Sequence, residues 1–189
     1  MTLEHVSLPG SSPTGPVWLN FPWINGTPEW YEWVYKKRAD QALWLSHSYL
    51  FRWRKRDEEY GDFSTQLGSI LDGIDRDKPL ILSWKSAWSD GVLFTLWKFP
   101  TRVNRLLFQS PLWWEEDPTI LRSFGGRVYA IWWEYDHGGT VGQNLRGIAN
   151  NIETSASSNI VILDTNSHHL ILHSKEVHDV WEKFFSGNT

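Results

Sequence analysis

The sequence predicts an α/β fold, a doubly wound and mostly parallel sheet with helices on both faces. Three observations carry that prediction. Short apolar runs alternate with amphipathic helical stripes along the chain, the order that builds a parallel sheet covered by helices. The runs are continuously apolar rather than alternating, as strands buried on both faces require. The chain has 189 residues, of which 41% are hydrophobic, and no internal repeat. That is enough for one domain, 1–189, burying roughly 70% of its unfolded surface.

The first 15 residues, rich in Ser, Pro and Gly, are either an irregular lead-in or an edge strand. Pro16 to Leu19 (PVWL) reads as a strand, followed by a loop through Asn25, Gly26 and Thr27. Pro28 suits the first position of a helix capped by Thr27, with Trp30, Trp33, Val34 and Lys37 at helical spacing. Ala42 to Leu45 (ALWL) is a second buried strand. In 62–75, Phe63, Leu67, Ile70, Leu71 and Ile74 form one helical stripe. Leu80 to Leu82 is a strand, and Val92 to Phe99 a helix stopped by Pro100. Arg105 to Phe108 and Val128 to Ile131 are strands, 140–152 a helix, and Asn159 to Leu163 a strand. Ser174 caps a last helix whose stripe is Val177, Val180, Trp181, Phe184 and Phe185.

Composition narrows the function. A formal charge of −4 gives no electrostatic reason to expect nucleic acid or an anionic membrane. With no cysteine, disulfides, thiolate catalysis and Cys-ligated zinc are excluded. The N-terminus MTLEHVSLPG has no basic region followed by an apolar run, and no stretch is apolar enough to span a membrane. The expectation is a cytoplasmic protein. Its 14 tryptophans are read as core or pocket walls, because each carries a large apolar area and a single N–H.

In a doubly wound sheet the site forms at the carboxyl ends of the strands. The strand at 80–82 runs into ILSWKSAWSDGVLF, residues 81–94, a strand-to-helix break that carries serines. Val128 to Ile131 is followed by WWEYD, ending at Asp136, and Asn159 to Leu163 by DTNSHHL, which contains His169. The order Ser, Asp, His is the triad order of α/β-hydrolases. TNSHHLIL (Thr165 to Leu172) resembles the N-S-G-H segment before the last helix of small carboxylesterases and monoglyceride-lipase-like enzymes, with His168 in the glycine's place. WEYD (Trp133 to Asp136) resembles the G-E-x-D that delivers the triad acid. FPTRVNRLLFQSP (Phe99 to Pro111) resembles the pattern after the nucleophile helix. The resemblance spans roughly residues 16 to 186 and implies a minimal, lidless α/β-hydrolase.

The superfamily's turn is small-x-nucleophile-x-small, because helix and strand approach closely around a strained residue. Three registers compete. Spacing from Pro79 and Pro100 favours Ser86, but sets Trp84 and Trp88 where small residues belong. Local chemistry favours Ser89 within AWSDG (Ala87 to Gly91), but leaves Lys85 inside a buried strand. The third register puts Lys85 at the tip of SWKSA (Ser83 to Ala87), with no serine nucleophile.

The resemblance also implies an oxyanion hole from two backbone N–H groups. Ala87 supplies one in the Ser86 register. The other belongs to the loop Asn20-Phe21-Pro22-Trp23, at Phe21, where the following proline has no N–H to give. His169 would then take the serine proton and Asp136 orient the imidazole, through an acyl-enzyme that water clears. The chemistry calls for no cofactor.

Several features read more simply. On a strand His169 and His173 would be about 13 Å apart, too far to share a metal with His168. RWRKR (Arg52 to Arg56) is followed at once by Asp57, Glu58 and Glu59, a solvated loop rather than a nucleic-acid surface. Asn25-Gly26-Thr27 is a turn. Two functional readings stand: a serine hydrolase of small carboxylic esters, or a catalytically silent relative that binds an apolar ligand or a protein. The sequence does not determine the oligomeric state.

Overall fold

The structure is a computed structural model that describes residues 3–21, 44–52, 63–85, 90–109, 124–133, 158–163 and 175–187. Its strands are β1 (His5–Pro9), β2 (Val17–Phe21), β3 (His47–Phe51), β4 (Leu80–Lys85), β5 (Val103–Gln109), β6 (Arg127–Trp133) and β7 (Ser158–Leu163). The described helices are α1 (Phe63–Asp72), α2 (Asp90–Lys98) and α3 (Lys175–Ser186). One seven-stranded sheet has the order β1-β3-β2-β4-β5-β6-β7. All neighbours are parallel except β1, which joins β3 antiparallel at the edge.

Alternation within the strands sorts side chains into two cores. Val17, Leu19, Leu80, Leu82, Leu106 and Val128 face the stripes of α1 (Leu67, Leu71) and α2 (Val92, Leu96). Trp18, Leu50, Ile81, Leu107, Tyr129 and Ile131 face α3 through Val177, Val180, Trp181, Phe184 and Phe185. Helices thus cover both faces, as the uninterrupted apolar runs require. Full burial of such side chains stabilises by roughly 1.5–3 kcal/mol each before the entropic cost of ordering them.

Two predicted strands change, and one of the alternatives for the first 15 residues is decided. The second strand forms at His47–Phe51 rather than 42–45. Leu45 instead lends its carbonyl to Ser12 N–H at 2.9 Å, and Trp44 is 47% exposed. The polar letters of HSYLF hide a strand because Ser48 is itself buried. Strand β4 continues past Leu82 through Ser83, Trp84 and Lys85, all in register with β5 as far as Lys85 opposite Gln109. Within the first 15 residues, His5–Pro9 is an edge strand. The predicted helices at 28–37 and 140–152 and the cap Ser174 lie outside the described residues. Among the described residues no helix is long and apolar enough to cross a membrane.

Helix α3 is held at its C-terminus by buried charge. Arg105 Nη1 donates to the carbonyl oxygens of Phe184 and Phe185 at 2.5 and 2.7 Å. Arg127, its partner across the β5–β6 ladder, donates to Gly187 O. These are carbonyls that a helix cannot satisfy internally, at the negative end of its dipole. Burial lowers the Arg105 pKa from the usual guanidinium value; Tyr129 opposes the shift and Arg127 adds to it. Gly187 ends the helix in the left-handed region at φ +76°, its N–H on Lys183 O at 2.8 Å. A side chain there would also meet Arg105 Nη1 at 3.1 Å.

Replacing Arg105 by Met is expected to cost roughly 2–4 kcal/mol, because two charge-assisted bonds and the end of α3 are lost together. Gly187→Ala should cost about 1 kcal/mol or more. Urea unfolding midpoints at unchanged m-value measure both. An Arg105→Met midpoint equal to the wild type would show that the clamp contributes nothing.

Candidate active site

Strands β2 to β7 are parallel, so their carboxyl ends share one edge of the sheet. Ser86 directly follows the last residue of β4. Only Glu134 and Tyr135 separate Asp136 from the end of β6, and the short stretch 164–168 separates His169 from the end of β7. The topology therefore sends the three segments out at the same edge. Ser86, Ala87, Ser89, Asp136 and His169 themselves lie outside the described residues, as do His168 and His173. Among the described residues no group of three or more His, Cys, Asp or Glu side chains could hold a metal ion.

Lys85 and Phe21 are described. Lys85 is the last residue of β4, 1% exposed, and stands in the ladder opposite Gln109. The connection from β4 to α2 is then residues 86–89. Phe21 closes β2 opposite Trp84, fully buried, with its ring stacked on Phe51 at 4.9 Å. Trp84 in turn lies against Phe108 of β5, ring centroids 3.8 Å apart.

Phe51, Phe21, Trp84 and Phe108 thus form an aromatic row across β3, β2, β4 and β5 beneath the first turn of α2. The bulk of Trp84 packs sideways into this row, which belongs to the core shared with α1 and α2, while Trp88 lies outside the described residues. The close approach of helix to sheet falls instead at Gly91, where a Cβ would stand 2.4 Å from Phe21 Cε1.

The opposite face of the same strand ends is polar. Trp18 Nε1–H donates to Ser83 Oγ at 2.9 Å, and Ser83 O–H donates to Asn20 Oδ1 at 2.6 Å. An indole can only donate and the serine has one proton, so the direction of this relay is fixed. It turns the Asn20 oxygen toward Ser83 and leaves Nδ2 as the open end. Asn20 Nδ2 and both amide atoms of Gln109 are buried with no hydrogen-bond partner. An unsatisfied buried group of this kind costs roughly 1–3 kcal/mol. Asn20 and Gln109 were missed as candidates in the sequence. The readable signal is polar residues at alternate positions inside otherwise buried strands, close to their carboxyl ends.

No family model matches the sequence, and no curated protein is similar to it in sequence. Solved structures are. A monoacylglycerol lipase from Paleococcus ferrophilus superposes over 100% of both chains, with TM-score 0.73 and 11% identity. MenH from S. aureus covers 98% of each chain, with TM-score 0.69 and 13% identity. The α/β-hydrolase domain-containing protein 10 from mouse matches 95% of this chain and 90% of its own, with TM-score 0.65 and 14% identity. The chain has the α/β-hydrolase fold. At these identities the likeness is one of fold alone. In an α/β-hydrolase fold a strand-to-helix turn at the top of the sheet carries the nucleophile, and here β4, residues 86–89 and α2 supply a strand, a connection and a helix in that order. Residues 110–126 join β5 to β6, too few to fold a separate cap domain over the edge.

Gly91→Ala is expected to destabilise by roughly 1–3 kcal/mol, since Phe21 is held between Phe51 and α2 and has no room to yield. Phe21→Leu in the same chain should recover part of the loss. A double-mutant cycle on thermal or urea unfolding reads the coupling, expected at about 0.5 kcal/mol or more; additive effects would show that ring and glycine do not meet.

Proposed function

We propose that the chain is a serine hydrolase of small carboxylic esters, with Ser86 as nucleophile, His169 as general base and Asp136 as its orienting acid. The observation that carries this reading is the parallel exit of β4, β6 and β7, which brings segments bearing Ser, Asp and His, in that chain order, to one edge of an α/β-hydrolase fold. The ester and lipid hydrolases among the structures of the same fold support it. His169 takes the serine proton as Oγ attacks the ester carbonyl, then returns it to the departing alcohol; water reverses the sequence on the acyl-enzyme. Ala87 and Phe21 are the proposed oxyanion donors. Short-chain and aryl esters are the substrates that suit an edge without a cap.

A second reading rests on the burial of Trp84 and Lys85, immediately before Ser86. A small residue and an uncharged strand end are what the superfamily's turn ordinarily has there. On that reading the chain is a catalytically silent relative that binds an apolar ligand or a protein.

A fluorophosphonate probe separates the two. On the hydrolase reading the adduct maps to Ser86 by peptide mass, disappears in Ser86→Ala, and forms at least about 10³-fold more slowly in His169→Ala. An adduct on Ser89 would move the nucleophile by one register. Folded protein that takes no label would decide for the silent relative.

A further inference from the structure

We propose that His47 latches the N-terminal edge strand to the sheet, and that acidification undocks this segment while the parallel strands stay folded. Strand β1 is bonded to the sheet through β3 alone. Its ladder bonds include Glu4, whose carbonyl accepts from Arg52 N–H at 2.8 Å, and Gly10, whose N–H donates to Ser46 O at 3.0 Å. Antiparallel alternation puts the rungs between them at Val6 and Leu8. Side chains fasten the segment at three further points. Arg52 Nη1 donates to Glu4 Oε2 at 3.1 Å, Lys78 Nζ donates to Pro13 O, and Ser7 Oγ meets His47 Nε2 at 2.6 Å. The first is a solvent-exposed pair of the kind that contributes little.

His47 bears on the other two. Pro9 stands opposite it in the ladder, Ser7 bonds its ring, and the Tyr49 ring lies 4.8 Å from its own. Docking of β1 thus supplies part of the burial of His47. Burial first, and then the charge of Lys78, hold its pKa below the ordinary 6.5. The remaining charges of this edge have other neighbours. The His5 ring meets Tyr49 at 5.7 Å, Glu4 pairs with Arg52, and Asp72 of α1 pairs with Lys98. Asp75, Arg76 and Asp77, which precede Lys78, act on Arg102. A neutral imidazole satisfies the Ser7 hydroxyl in either tautomer. An imidazolium there is partly desolvated and repels the ammonium that holds Pro13. Neutral His47 therefore stabilises docking in full above pH 6.5, and this contribution is lost as the pH falls through the lowered pKa.

Amide hydrogen exchange of the full chain, read by NMR and corrected for intrinsic rates, tests the latch. Val6 and Leu8 should exchange through a local opening, larger than that of core amides such as Leu106 and insensitive to dilute urea. Between about pH 7.5 and about pH 5 that opening should grow at least about threefold. Its growth should follow the titration of the His47 ring in the same spectra, a comparison that needs no variant. In His47→Gln the side-chain amide can still bond Ser7 but takes no charge, so the growth should vanish. That variant also separates His47 from Glu4, which it leaves in place. An opening no larger than that of the core, one constant across the range, one that follows a midpoint other than that of the ring, or growth undiminished in folded His47→Gln would each overturn the proposal.

Discussion

The guanidinium of Arg105, buried at the amino end of β5 and bonded to the last carbonyls of α3, orients the rest of the molecule. A helix has two ends, and fixing one fixes the other. With its C-terminus tied to the amino edge by Arg105 and Arg127, α3 runs back along the sheet. Its 12 residues reach about 18 Å, so its N-terminus comes to the carboxyl edge. The segment that contains His169 runs from the end of β7 to that N-terminus, both of them at the same edge. A clamp at one end of the protein therefore fixes where the connection from β7 to α3 must end at the other. The charge is tolerable in the core because its donors meet acceptors that would otherwise be orphaned; either partner alone would be costly to bury.

The two faces of the sheet then do different work at the carboxyl edge. Toward α1 and α2, the row Phe51, Phe21, Trp84 and Phe108 closes the top of the core with rings, and α2 seats directly on it through Gly91. Toward α3, the same strands present Asn20, Ser83, Lys85 and Gln109. Period-two alternation makes this division unavoidable once the strands are in register: Trp84 cannot face the helices without Ser83 and Lys85 facing the other way. The oddities of the sequence before the turn, a tryptophan and a lysine side by side, are one consequence of one strand geometry.

Much of the fold was legible because its cores are built from stripes. Leu67, Leu71 and Ile74 in α1, and Val177 to Phe185 in α3, recur at helical spacing and are buried where that spacing places them. The apolar runs of β2 and β5 likewise give strands close to their predicted bounds. Failures came where a strand buries polar side chains. HSYLF reads as less strand-like than ALWL, because Ser48 and His47 lower its apparent hydrophobicity. The apolar run of β4 stops at Leu82, so that Ser83 and Lys85 read as a turn although both are buried in the strand. The candidate triad was legible as chain order at strand ends. The polar layer was not, since Asn20 and Gln109 are ordinary letters until the register shows them on one face.

The buried polar groups of this sheet divide into those that find hydrogen-bond partners and those that do not. Arg105 and the Trp18–Ser83–Asn20 relay are buried polar groups that find partners, and each fixes something: the direction of α3, the orientation of an amide. Asn20 Nδ2 and the Gln109 amide are buried just as deeply and find none. Folding gains nothing from the Gln109 amide, whereas an apolar side chain at Asn20 would orphan the Ser83 hydroxyl that its Oδ1 accepts. Both residues stand near the carboxyl ends of their strands, whereas Ser48 Oγ and Arg102 Nε are unpartnered elsewhere in the fold. At the amino edge the Arg105 clamp gives the last carbonyls of α3 their donors, and the helix end is fixed there because neither group could be buried alone.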